Sequence, residues 1–204
     1  MTDEPDAHLR PIAKLYEESL TQHGTAPMGV GWRDEASHLL RLRKLAYAID
    51  YANTSINDLG CGYGAFYDYL VKEGVAVRQF RGYDISEKML VRARSLHPDG
   101  EFLLGSALDR PAEYSFACGI FNVRLEQSEQ SWLAHIERTL DNLNAFSTRG
   151  FAFNLLTTWV DYREAHLYYG DPLHFFDLCK RRYSRSVALL HDYPLYEWTI
   201  VVRK

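Results

Sequence analysis

Asn57-Asp58-Leu59-Gly60-Cys61-Gly62-Tyr63-Gly64 is the stretch on which the reading of this 204-residue chain turns. A run of strand formers, Thr54–Leu59, enters a loop of alternating glycines, and a helical pattern over about Ala65–Glu73 leaves it. Glycine reaches backbone conformations closed to other residues and lets a ligand approach the main chain without a Cβ clash. Twenty residues beyond Gly64, at the end of a second expected strand (Arg78–Tyr83), stands the acid of Gly82-Tyr83-Asp84-Ile85-Ser86. In strand–loop–helix–strand units a carboxylate at that place accepts hydrogen bonds from the two hydroxyls of a ribose. A glycine loop alone is a weak signal. Strand, loop, helix and acid together point to a nucleotide-containing ligand.

Outward from this stretch the alternation continues. Ser86 caps a helix to Leu96 that stops before Pro98. Glu101–Leu104 and Tyr114–Phe121 read as the third and fourth strands. A helix from about Ser128 to Ala145 follows, then a fifth, almost wholly apolar strand, Gly150–Leu156, suited to the middle of a parallel sheet. Asp171-Pro172 opens a helix to Tyr183. Two last strands, Ser186–His191 and Leu195–Val202, are joined too tightly for a helical crossover and must pair antiparallel. Upstream, residues 8–20 and 35–50 read as helices, the second capped by Asp34, with a Gly-rich loop at His23–Arg33 between them. The pattern predicts an α/β fold: a seven-stranded, mostly parallel sheet with an antiparallel C-terminal hairpin, helices on both faces and an N-terminal helical extension. One domain over 1–204 is expected, with 1–52 as the extension and 53–204 as the core.

Gly60-x-Gly62-x-x-Ala65 also satisfies the dinucleotide pattern, so NAD competes for the site. Against it stand Asp58, two positions ahead of the first glycine, the long helical N-terminus and the terminal antiparallel hairpin. Asp-x-Gly-x-Gly-x-Gly at 58–64 resembles the first motif of the class I, Rossmann-like methyltransferases, which use S-adenosylmethionine. The likeness spans about residues 53–204 in architecture and is sharp at Asp58–Gly64 and Asp84. It implies that Gly60, Gly62 and Gly64 lie under the methionine and ribose of S-adenosylmethionine, with Cys61 as a small residue in the bend. It further implies that Asp58 orients the methionine amino group, and that Asp84, with Ile85 beside it, binds the ribose diol. Ser106 and Ala107 stand where the family often places an acid near the adenine, so the chain departs from the pattern there. Asp58 as a cap of the glycine turn, and Asp84 as the cap region of the next helix, are the structural alternatives. Trp32 either closes over the cofactor or packs the N-terminal helices.

The acceptor of the methyl group should meet it beyond the ends of strands four and five. Strand four leads into Asn122, Val123 and Arg124. Strand five leads into Thr157–Gly170, which is rich in Tyr, His, Asp and Arg for a connection. His166 is the expected general base, with Tyr168, Tyr162 and His174 after it. Asn122, Arg124 and Arg163 are expected on the substrate, the arginines on a carboxylate or phosphate. Surface polarity or hydrogen-bonded packing is the other reading of each.

A net charge of −4 argues against a nucleic-acid footprint. The basic cluster Lys180, Arg181, Arg182 and Arg185 reads as a solvated helix face. Three scattered cysteines lack zinc spacing, and no metal is expected. No apolar stretch reaches the roughly 18–20 residues of a membrane span, and the acidic N-terminus is unlike a secretory signal, so a cytoplasmic location is expected. The sequence thus predicts an S-adenosylmethionine-dependent enzyme methylating O, N or C of a small molecule. An NAD-dependent oxidoreductase or epimerase and a non-catalytic cofactor binder are the alternatives. Neither acceptor nor oligomeric state is readable.

Overall fold

In the computed structural model, which describes residues 7–24 and 34–204, the alternating pattern forms one eight-stranded sheet. The strands are β1 (Thr54–Leu59), β2 (Val77–Asp84), β3 (Glu101–Leu104), β4 (Ala112–Ala117), β5 (Ser147–Thr157), β6 (Tyr169–Gly170), β7 (Ser186–Leu190) and β8 (Glu197–Arg203). Their order is β3-β2-β1-β4-β5-β8-β7, with the short β6 pairing β5 off this path. β1 runs parallel to both β2 and β4, and every one of its residues is buried. β8 inserts antiparallel between β5 and β7, in register from Gly150↔Arg203 to Leu156↔Glu197. The expected mostly parallel sheet with a terminal hairpin is therefore what forms.

Among the described residues six α-helices cover the sheet: α1 (Arg10–His23), α2 (Glu35–Ala46), α3 (Ala65–Lys72), α4 (Glu87–Leu96), α5 (Glu129–Phe146) and α6 (Pro172–Arg182). Side-chain caps set several of their starts, since the first N–H groups of a helix have no partner within it. Asp34 accepts from Ser37 N at 2.7 Å, Ser86 from Met89 N at 3.2 Å and Asp171 from Leu173 N at 2.9 Å. Two apolar cores result. Phe66, Leu70, Leu90 and Leu42 pack one face of the sheet under α2, α3 and α4. Trp132, Ile136, Leu140 and Phe175 pack the other under α5 and α6, joined by Leu9 and Ile12 at the start of the chain's first helix.

Two details differ from the expected pattern. β4 stops at Ala117 instead of running to Phe121, because the chain turns at Gly119, which has φ +72° and whose N–H is captured by Asn154 Oδ1 at 2.7 Å. The segment after β5, expected near the methyl acceptor, is tied down. Its Tyr169–Gly170 pairs with β5, Tyr168 N donates to Asn122 O at 2.8 Å, and Arg124 N and Leu125 N both donate to His166 O at 3.0 Å. Among the described residues no helix is long and apolar enough to cross a membrane. The expected contact of Trp32 lies outside the described residues.

Candidate active site

β1 and β4 are neighbours whose connections leave in opposite directions along the sheet, and a crevice opens beyond their carboxyl ends, as at any such reversal. The glycine loop forms its floor. Gly60, Gly62 and Gly64 take φ of +75°, +55° and +90°, a region that side chains rarely tolerate. Gly60 N and Cys61 N donate to Tyr83 O at 2.7 and 3.0 Å, so the loop folds over the end of β2. A Cβ on Gly60 would stand 2.1 Å from Ile120 Cγ2. The glycine is thus required both by its backbone angle and by the close approach of the β4 turn.

Asp84 closes the loop from the side. Its Oδ2 accepts from Gly62 N at 2.9 Å and its Oδ1 from Ser86 N at 2.9 Å. A carboxylate offers about four acceptor positions, so lone pairs are left for a vicinal diol. Asp58, at the end of β1, is buried to 2 % exposure. Burial first, and then the nearby Asp84, push its carboxyl up to about 8. Burial also raises Asp84, against the hydrogen bonds from Ser86, Gly62 and Ile85 that favour its charged form.

The cleft is open to solvent on one side, and the space within and above it is about 1050 Å³. Asp84, Ile85, Ser86, Met89, Gly105 and Ser106 line it on the β2–β3 side. His38 and Leu42 of α2 and Cys118, Gly119 and Ile120 after β4 line the other. α1 lies across it, presenting Ile12, Ala13 and Tyr16. Polar contacts hold α1 at both ends. His8 Nε2 lies 3.3 Å from His135 Nδ1 on α5, while Glu17 takes Ser86 Oγ at 2.9 Å and pairs with Lys88 Nζ at 3.3 Å.

Of the residues expected on a cofactor, the structure brings Asp58, Gly60, Cys61, Gly62, Asp84, Ile85 and Ser106 together on this cleft. Gly64 does not line it; it opens α3 and faces His97 and Phe102. Ala107 points to solvent. The residues expected to do chemistry do not line this cleft, because β6 and the contacts of 166–168 with 122–125 tie their segment to the carboxyl end of β5. His166 is exposed beside Glu164, Tyr162 is 69 % exposed and Tyr168 packs against the α5–α6 core. His174 is exposed on α6. Asn122 spends its Oδ1 on Leu156 N, Arg124 donates to Leu167 O and Gln127 O, and Arg163 donates to Thr158 O. None of these lines the cleft.

Sequence reading missed the α1 lining, His38 and His135. Both imidazoles are buried at 7 % exposure. Burial, and then the neighbouring Arg41, push His38 down to about 4, so its ring is neutral near pH 7. Nothing in the local sequence separates His38 from an ordinary helix-face histidine. Only the packing of α2 against β5 and β8 brings it to the cleft.

With this geometry in place, comparison with known proteins is informative. A family profile described as "Methyltransferase domain" matches residues 56–143. A protein of Mycobacterium tuberculosis designated a methyltransferase, Rv1506c, is 56 % identical over 156 residues, covering 74 % of this chain and 93 % of its own. Among solved structures, the DhpI-SAM-HEP complex superposes with a TM-score of 0.67 at 11 % identity over 100 % of both chains. Magnesium protoporphyrin IX methyltransferase (ChlM) from Synechocystis PCC 6803 with bound SAH gives 0.62 at 13 % identity, over 83 % of this chain and 84 % of that one. At those identities the superpositions speak for the fold.

Proposed function

The chain belongs to the class I methyltransferases, and from that premise we propose that it binds S-adenosylmethionine in the cleft between Asp58 and Asp84 and methylates a small molecule. The observation that carries the cofactor reading is the pair of carboxylates at the glycine loop, Asp58 buried and Asp84 half-buried. A dinucleotide would lay its anionic pyrophosphate at this loop, where Asp58 could not ionise to pair with it. S-adenosylmethionine brings an ammonium, against which the Asp58 carboxyl ionises, and a ribose diol for Asp84.

The donor set fits the cofactor part by part. In this reading Asp58 takes the ammonium, Asp84 the ribose diol, and Ser106 and Ile85 the adenine edge and face; all four line the cleft. When bound, the cofactor supplies an electrophilic methyl group, which needs neither a metal nor a covalent enzyme intermediate. The protein's part is to align acceptor and donor and to exclude water, and such positioning can be worth several kcal/mol, up to roughly 7–11 in ideal cases.

Two features support a small acceptor over RNA. The described residues lining the cleft include no Lys or Arg, and the chain carries net charge −4. A phosphate backbone would meet no matching field. The test is transfer of a tritiated methyl group from S-adenosylmethionine into fractionated extract of the source cells. Label in the organic-soluble, low-mass fraction supports the reading. Label confined to RNA or protein would overturn the small-molecule part, and no transfer to any fraction would overturn the enzymatic part.

A further inference from the structure

The two ends of the cleft differ in chemistry. Asp84, Ser86 and Ser106 make the β2–β3 end polar and hydrogen-bonding. At the opposite end, over β4 and toward β5, stand one imidazole, His38, the apolar Leu42 and Ile120, and the thiol of Cys118. Burial, together with Glu197 and Asp58, raises the Cys118 thiol well above its ordinary range, so it is a neutral wall and not a nucleophile.

This end is rigidly built. Arg41, one turn beyond His38 on α2, pairs with Glu197 of β8, its Nε 2.8 Å from each carboxylate oxygen and its second terminal nitrogen 2.7 Å from Oε1. Glu197 also accepts from Asn154 Nδ2 at 2.8 Å, and Asn154 Oδ1 in turn holds Gly119 N at 2.7 Å. One buried chain of contacts therefore fixes the helix carrying His38 and the turn carrying Cys118–Gly119 on opposite sides of the same space. The other imidazole of the cleft, His135, sits on α5 with its ring against His8 and Trp132.

We propose that His38, Leu42 and Cys118 form the acceptor half of the cleft, and that it takes an uncharged aromatic alcohol whose hydroxyl is hydrogen-bonded by the His38 imidazole. This rests on the reading of the other half as the S-adenosylmethionine site. Charge selects against acids: the described residues lining the cleft include no Lys or Arg, and the guanidinium of Arg41, on the same helix as His38, is matched by Glu197. The weak basicity of His38 suits a phenol better than an alkyl alcohol, because the proton to be taken is already acidic. In the step, the phenolic oxygen forms the new C–O bond while the C–S bond of the sulfonium breaks, its electron pair leaving on sulfur. The phenolic proton passes to His38 and from there to water.

The experiment compares the parent with His38→Gln and His38→Asn. Calorimetry with S-adenosylhomocysteine comes first, and all three proteins should bind it within about 2-fold of one another. Each saturated protein is then titrated with 2-naphthol, 2-naphthoate and 2-naphthyl phosphate while the ring signals of labelled histidine are followed by NMR. The signal absent from both variants, which identifies His38, should move with 2-naphthol only. With S-adenosylmethionine, 2-naphthol alone should be methylated, and both variants should lower kcat roughly 10²–10⁴-fold. If S-adenosylhomocysteine binds but 2-naphthol neither moves the His38 signal nor is methylated, this proposal falls and the cofactor reading stands. The same holds if the naphthoate or the phosphate is the one methylated. Absence of S-adenosylhomocysteine binding by the parent overturns both.

Discussion

Asp84 holds Gly62: the carboxylate that ends β2 accepts the loop N–H at 2.9 Å and so fixes the glycine turn that ends β1. The residue proposed to bind the ribose diol is therefore also a brace of the glycine loop. Asp84→Ala should weaken S-adenosylhomocysteine binding by about 1.5–3 kcal/mol, the range for hydrogen bonds to a charged group. Thermal unfolding of the ligand-free variant should also shift downward, since two buried backbone donors lose their acceptor. An unchanged affinity in a folded variant would mean the ribose lies elsewhere.

Asp58 makes binding pH-dependent, and the sign follows from its burial. In the free cleft its carboxyl titrates at about 8, so near pH 7 it is mostly protonated. Against a ligand ammonium the ionised form is preferred, so binding lowers its pKa and releases a proton. Affinity for S-adenosylhomocysteine should rise as pH goes from 6 to about 8 and level off above. Calorimetry at pH 7 in phosphate and in Tris should give different apparent enthalpies, and Asp58→Asn should remove the difference. Equal enthalpies for the parent protein would sink this assignment.

Gly60 tolerates no side chain. Its φ of +75° and the 2.1 Å approach of Ile120 Cγ2 to a would-be Cβ act together. Gly60→Ala should cost about 1–3 kcal/mol of stability for the backbone strain alone, read by urea unfolding. Adding Ile120→Ala should recover the steric part and leave the strain. Full recovery in the double variant would show that the backbone angle costs little.

How far the sequence reveals this site can be judged from such residues. β1, β3 and the starts of α2, α4 and α6 were legible because each has a local cause: a short run ending at a glycine (Gly60 or Gly105), or a cap such as Asp34, Ser86 or Asp171. Asp58, the glycine loop and Asp84 were legible as a spacing. His38 was not, because its position depends on α2 docking against β5 and β8 through Arg41 and Glu197, which are 156 residues apart. For the same reason His166 and Tyr162 misled. A polar, aromatic connection resembles a site, and only the pairing of Tyr169–Gly170 with β5 shows that it is drawn away.

The Arg41–Glu197 pair is buried, with side-chain exposures of 10 % and 2 %. Glu197→Ala should destabilise the protein by about 3–5 kcal/mol, the cost of stripping a buried guanidinium of its carboxylate. Chemical denaturation measures this. A loss below about 1 kcal/mol, the level of an exposed pair, would show that α2 is anchored by its apolar face instead.

The central claim is that the cleft between Asp58 and Asp84 is built for S-adenosylmethionine, and its most direct test is a calorimetric titration of the purified chain with S-adenosylhomocysteine and with NAD. The account predicts a one-to-one complex with S-adenosylhomocysteine in the micromolar range, lost or strongly weakened in Asp84→Ala, and no measurable heat with NAD. Tight binding of NAD with no response to S-adenosylhomocysteine would contradict it.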